Sequence, residues 1–369
     1  DKQPPMEGWS GGLGPYSPVV RNGELYGRGG ADDGYSLFLA GLIVQTLQHG
    51  QRLRHSVTFF FETDEESGSR DITHHLQCLK EAIPAPDLIF VLDSGGPDFD
   101  TLYVTESLRG VLNVSVRVDT MERAVHAGGC VGAAADPYRL LRRVVKAFKA
   151  EVQELVVKGG KPESIEAAYA NAAAFIDEKA EALRRGLPLA EGVNPCHSSI
   201  FKGYWENTQC ASVTCVAMSG LPSPSSFTLL QQPFLQAVIS VRLPPTVDSQ
   251  TAEERIRGWF ENTSRSETAP MTVKVKKASR GYSLIDEEGR LTPLLDACAM
   301  QFFGKKSLSV GLGGSIGSAA LFADFFPQSK IVVTGILSPE SSIHAADERL
   351  NIDHLVKVAK VLLAVIDKL

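Results

Sequence analysis

Six side chains of the kinds that hold metals or move protons stand at turn-like points of the chain. Asp32 and Asp33 close the run Tyr26-Gly27-Arg28-Gly29-Gly30-Ala31, Glu65 and Glu66 follow the apolar run 56–62, Asp93 follows 88–92, and His344 lies within Ser341-Ser342-Ile343-His344-Ala345-Ala346-Asp347-Glu348-Arg349. Carboxylate oxygen and imidazole nitrogen are the donors that hard and borderline divalent cations take. Acids packed together repel unless a cation neutralises them. The chemistry such a set could perform is hydrolysis by a metal-activated water, with a spare carboxylate as general base. Singly, each residue has a plainer role. Asp-Asp before a helix caps it, Glu-Glu is a solvated turn, an Asp after a strand forms a turn, and His344 is a loop imidazole. Their joint appearance, each beside an expected sheet edge, favours the metal.

The elements that would position them read as α/β. Residues 35–48 (YSLFLAGLIVQTLQ) are apolar around most of a helix, which predicts a buried one. Runs 56–62 (SVTFFFE) and 88–92 (LIFVL) lack polar alternation, as strands covered on both faces do, and helices between them predict a parallel sheet. Side chains just past the carboxyl ends of such strands converge on one crevice. From about Gly110 the pattern changes: Val114, Val116 and Val118 alternate with polar residues, as on an antiparallel strand with one wet face. Helices are expected near 138–151, 164–185 and 252–260, with strands at 234–243 and 271–277. After Gly281 the buried pattern returns, with a helix near 292–303, a strand at 331–336 and a helix at 352–369. The chain therefore divides into a catalytic unit in two pieces, 1–109 and 279–369, interrupted by an α+β insertion, 110–278.

Composition removes other classes of function. At 369 residues the chain is long enough for two domains, and 43% hydrophobic with 22% charged residues is an ordinary globular mix. A net charge of −6 offers no broad patch for a nucleic acid or an anionic membrane. No apolar run approaches the roughly 18 residues that cross a bilayer. The cysteines Cys78, Cys130, Cys196, Cys210, Cys215 and Cys298 show no CxxC spacing, which fits a reducing, cytoplasmic compartment. The glycine-rich run 311–317 lacks the GxGxxG spacing of a dinucleotide loop.

The successive segments YGRGGADD (26–33), FETDEESGS (61–69), Asp93, VHAGG (125–129), SVRLPP (240–245), GGSI (313–316) and HAADERL (344–350) resemble the motifs of the M20 metallopeptidases. That family includes carnosinase-like dipeptidases and glutamate carboxypeptidases, and the resemblance covers nearly the whole chain. It implies a zinc-peptidase-like catalytic domain with a mostly parallel sheet, interrupted by a lid and dimerisation domain. It also implies two divalent ions, zinc most often and manganese as an alternative. Carried over by position, Asp32 bridges the ions, Asp93 serves one, and Glu66 and His344 serve the other. Glu65 is the general base. Asp1 matches the aspartate of the family's His-x-Asp motif, orienting a histidine ligand that would stand two residues earlier, outside this sequence. His126 would reach into a partner subunit's site, making the protein a homodimer through the lid. Arg242 would hold a substrate carboxylate, and Ser315 would touch substrate.

The chain departs from the family pattern at Leu312, where many relatives carry Glu, at Gly317, where many have Pro, and at Gly34, where many have Lys. Aspartate at position 93 leans, by family analogy, toward dipeptidases over carboxypeptidases. The expected substrate is a dipeptide or other short molecule with a free carboxylate. An N-acyl-amino-acid amidohydrolase would use the same residues, and a non-catalytic dimer on this fold is the reading outside enzymes.

Overall fold

The computed structural model describes residues 2–130, 132–157, 162–267, 269–284 and 291–369, side chains at 162–165 and 266 aside. In chain order, β1 (Val19–Arg21), β2 (Glu24–Tyr26), α1 (Tyr35–His49), α2 (Ile72–Leu79), β3 (Leu88–Val91) and β4 (Tyr103–Leu108) come first. There follow β5 (Gly110–Asp119), β6 (Val125–His126), α3 (Pro137–Val157), α4 (Pro162–Arg185), α5 (Ile200–Gln209), β7 (Ser212–Ser219), β8 (Leu230–Gln231), β9 (Phe234–Leu243), α6 (Ser249–Ser266) and β10 (Met271–Val275). The last part holds β11 (Tyr282–Ser283), α7 (Leu291–Phe303), β12 (Leu308–Leu312), α8 (Gly317–Phe325), β13 (Lys330–Val333), β14 (Arg349–Asn351) and α9 (Ile352–Lys368).

Local chemistry starts several of these elements. Asp248 accepts from Thr251 N at 2.8 Å to cap α6, and Asn351 accepts from His354 N at 2.9 Å to cap α9. Strands β5 and β9 alternate buried and half-buried residues along their whole length, the signature that the valine alternation gave. With β10 and β7 they form an antiparallel sheet in the order β10-β5-β9-β7. Phe148 of α3 and Ile256 and Phe260 of α6 pack on its buried face, each burial contributing about 1.5–3 kcal/mol.

The remaining elements share other clusters. Tyr35, Leu39, Ile43 and Leu47 of α1 pack with Leu295 and Ala299 of α7 and Val358, Val361 and Leu362 of α9. Strand β3 pairs in parallel with β13, and β4 pairs in parallel with β12 and antiparallel with β11.

Three expectations are corrected. The sheets are not mostly parallel: among the described residues, two of nine strand pairings are parallel and seven antiparallel. The run 56–62 forms no strand, so the expected parallel neighbour is lacking, and β10, β5, β9 and β7 make an antiparallel sheet of their own. Val57, Phe59 and Phe61 are exposed while Phe60 packs edge-on against Phe322, so this apolar run is not covered on both faces. Nor is α1 buried all round. Its i, i+4 stripe faces the core, but Leu37, Leu42 and Phe38, the last 75% exposed, lie on the other side. Apolar composition alone could not separate a one-sided helix from a buried one.

Candidate metal centre

Asp32 sits in the irregular turn Gly30–Gly34, whose amides at Ala31 and Asp32 donate to Glu348 Oε1 at 3.1 and 3.2 Å. The other oxygen of Glu348 accepts from Arg28 Nη1 at 2.5 Å, and Arg28 Nη2 donates to Ala345 O at 2.7 Å. Both side chains are almost wholly buried, 1% exposed for Arg28 and 0% for Glu348. The pair therefore ties the Asp32 turn to the His344 loop, across 320 residues of sequence. Removing either partner would strand a buried charge, at a cost of about 3–5 kcal/mol.

The loop itself is strained. Ser342, His344 and Asp347 have φ of 52°, 62° and 59°, left-handed conformations that cost a non-glycine residue about 1–3 kcal/mol each and persist only when neighbours enforce them. Here the neighbours are Arg28 on Ala345 O, the Ser338–Ser341 capping box, and Ser10, which donates from N and Oγ to the Asp347 carboxylate at 2.8 and 2.5 Å. The outcome is that His344 Nε2 lies 2.8 Å from Asp32 Oδ2 and 3.4 Å from Glu66 Oε1.

Glu65 and Glu66 occupy the tight turn Glu65–Ser67, closed by Gly68 N donating to Glu65 O at 2.8 Å. Gly68 takes φ 100°, which suits glycine. Gln3 Nε2 donates to Glu66 Oε2 at 2.8 Å. Asp93 follows β3, where Tyr35 OH donates to Leu92 O at 2.8 Å. The backbone beyond it presses on the turn after β13: a Cβ on Gly95 would stand 1.8 Å from Leu337 O.

Electrostatics mark the site. Burial first, then Asp32, Glu65, Asp33 and Glu66, hold the Asp93 carboxyl well above its usual range. Glu65 is pushed up to about 7, by burial first and then by Glu66, Glu62, Asp32 and Asp33. Asp33 is raised chiefly by burial, and His344 is raised chiefly by its hydrogen bond to Asp32. Arg28, a buried cation that bears on His344, is already engaged by Glu348. An excess of carboxylates around two carboxylate oxygens and one imidazole nitrogen is a donor set that fits a divalent metal.

The structure brings Asp32, Glu66 and His344 together, with one donor atom from each within 4.8 Å of the others. Asp93 and Glu65 lie outside that group, and both are close enough to Asp32 and Glu66 for those carboxylates to raise their proton affinity. Arg242 and Ser315 meet each other, Nη1 to Oγ at 2.8 Å. His126 stands apart on the β6–β8 ribbon, exposed, accepting from Gly128 N at 3.2 Å. Asp1 lies outside the described residues. Arg28 and Glu348 were not expected as positioning residues, although both sit inside the quoted motifs, Arg28 as a lone charge among glycines and Glu348 between Asp347 and Arg349.

Similarity to known proteins agrees with this geometry. A cysteinylglycine-S-conjugate dipeptidase of Corynebacterium striatum is 25% identical over 355 residues, 92% of this chain and 72% of that protein. A probable di- and tripeptidase of Saccharomyces cerevisiae is 22% identical over 359 residues, 96% of this chain but 39% of its own length. The fold matches human carnosine dipeptidase 1 with a TM-score of 0.81 at 17% identity, covering 100% of this chain and 78% of that one. With the model of peptidase family M20/M25/M40 matching residues 1–368, the chain belongs to that family.

Proposed function

We propose that the protein is a metal-dependent peptidase that hydrolyses dipeptides or other short substrates bearing a free carboxylate. The observation that carries this reading is the Asp32–Glu66–His344 group set in an acid-rich site. The dipeptidase names of the relatives support the substrate class. Asp32, Glu66 and His344, with Asp93 beside them, would hold a pair of zinc ions, with manganese the alternative. When bound, such a pair supplies Lewis acidity and a water acidified to near-neutral pH. Glu65, beside the group but outside it, would serve as the general base, holding a proton at its carboxylate and giving it up to the leaving amine. Arg242 and Ser315 orient the substrate carboxylate, a task suited to a planar guanidinium. The test is metal content per subunit together with hydrolysis of a dipeptide panel with and without added zinc or manganese. About two ions with metal-dependent cleavage is the expected result; no bound metal and no cleavage would leave only a binding role.

Residues 110–278 would form a lid interrupting a catalytic unit of 1–109 and 279–369. In support, one hydrophobic cluster draws its members from Leu112 to Ala278, and another from residues before and after that stretch. The lid would also dimerise. Strand β7 is an edge strand with Val216 and Met218 exposed, and such an edge is a template for pairing with a second copy. His126, exposed and without contact to its own centre among the described residues, would then serve the partner's site. Mixing His126→Ala subunits with Glu65→Gln subunits should restore part of the activity that each lacks alone; no recovery would remove the role across the interface. The six cysteines are all free, which supports a reducing, cytoplasmic compartment. Among the described residues no helix is long and apolar enough to cross a membrane.

A further inference from the structure

We propose that Arg109 is a positioning residue for the substrate carboxylate, fixing Ser315 and Arg242 in register from behind and adding a second positive charge to their pocket. The proposal rests on the reading above that Arg242 and Ser315 receive that carboxylate.

Arg109 is the single residue between β4, which pairs with β12, and β5, which runs beside β9. It is 6% exposed. Its backbone is spent on the turn after β12: Arg109 N donates to Gly314 O at 3.0 Å, and Ser315 Oγ donates to Arg109 O at 2.5 Å. Because the Ser315 proton is committed to that carbonyl, its oxygen is free to accept, and Arg242 Nη1 donates to it at 2.8 Å. The orientation of the Ser315 hydroxyl therefore depends on where the Arg109 main chain lies against the 313–315 turn.

The side chain reaches the other way as well. Nε donates to Gly313 O at 2.9 Å, Nη1 to Ser212 Oγ at 2.8 Å and to Cys210 O at 3.3 Å, and Nη2 to Asn207 Oδ1 at 3.4 Å. Ser212 is the cross-strand partner of Arg242 on β7, and Val111 is its partner on β5. One guanidinium thus clamps the 313–315 turn, the end of α5 and the strand flanking Arg242. The fit is close: a Cβ on Gly313 would stand 2.5 Å from Asn207 Oδ1.

The charge balance supplies the second argument. Every acceptor of Arg109 is neutral, and among the described residues no carboxylate bonds to Arg109 or Arg242. Burial, with Arg242 as the next cause, pulls Arg109 down to about 10, still protonated at neutral pH. Two neighbouring guanidinium groups without a counter-ion hold unbalanced positive charge in a partly dry place. A substrate carboxylate would neutralise it.

The test compares the best-cleaved dipeptide with its C-terminal amide in Arg109→Met, Arg109→Lys, Ser212→Ala and Arg242→Lys. For Arg109→Met the KM for the dipeptide should rise about tenfold, the scale of one lost hydrogen bond to a charged group. Its kcat should hold and the KM for the amide should barely move. Arg109→Lys should recover part of the loss, because it restores the charge without the fork. Should Arg109→Met fail to fold, Ser212→Ala removes one clamp contact and should shift the same ratio in the same direction, by less. Equal changes for dipeptide and amide, or an unchanged ratio in Ser212→Ala and Arg109→Lys, would overturn the proposal. If Arg242→Lys moves the ratio while the Arg109 variants do not, the positioning role alone falls; if none moves it, the carboxylate reading falls too.

Discussion

Glu65→Gln should keep its metal and lose at least about 100-fold in kcat, the scale of removing a general base. Glu65 and Glu66 are neighbours on the turn Glu65–Ser67 with different surroundings. Glu66 points to His344 Nε2, 3.4 Å away, and belongs to the group that could hold a cation, whereas Glu65 does not. Glu65 is instead the carboxyl pushed up to about 7 by burial and by its acidic neighbours. Cations held by Asp32 and Glu66 would lower that value again, so the role rests on position: Glu65 stands beside the group that could hold a cation without belonging to it. Glutamine keeps the shape and the polar contacts but not the proton chemistry, so KM and metal content should stay near their original values. Near-normal turnover would sink the role. Lost metal would make Glu65 a ligand, and Glu66 would become the candidate base.

The acidic residues of this site were legible in the sequence because each stands at a turn-like point, Asp32 and Asp33 after a glycine-rich run and Glu65, Glu66 and Asp93 shortly after apolar ones. Asp32, Glu66 and His344 come together from positions 32, 66 and 344, and only the order of motifs linked them beforehand. What holds them was less legible. The Arg28–Glu348 pair looks like two surface charges until folding places one against the other in a dry interior. Arg109 has the same history, since nothing local tells that its guanidinium will meet two backbone carbonyls, a serine hydroxyl and a side-chain amide oxygen from distant parts of the chain. Alternation made β5 and β9 readable, because a one-sided sheet writes its burial into every second residue. The run 56–62 carries no such record, and its apolar residues proved compatible with an extended segment outside any sheet.

Freed of metal by chelation, the protein should melt at progressively lower temperature as pH rises from about 6.5 to 8.5, and zinc should reverse the trend. Glu65, pushed up to about 7, holds in the lower part of this window a proton that the unfolded chain has released, and Asp93 and Asp33, both raised above their usual range, act in the same direction. More protons on the folded state means that stability falls with rising pH. Each pH unit over which one such carboxyl stays protonated only when folded removes about 1.4 kcal/mol. His344, raised by its bond to Asp32, acts in the same direction, since its stabilising charge is lost as pH climbs through its folded value. His354 opposes it. Burial pushes His354 down to about 4, but that effect ends once pH exceeds its unfolded value of 6.5, which sets the lower edge of the window. Zinc competes with protons for the same donors, so the rise in melting temperature at saturating zinc should be larger at pH 8.5 than at 6.5. A flat or rising profile for the metal-free protein would show that the acids do not crowd one another as the structure places them. An equal zinc shift at both ends would show that the ion binds elsewhere, away from Asp32, Glu66 and His344.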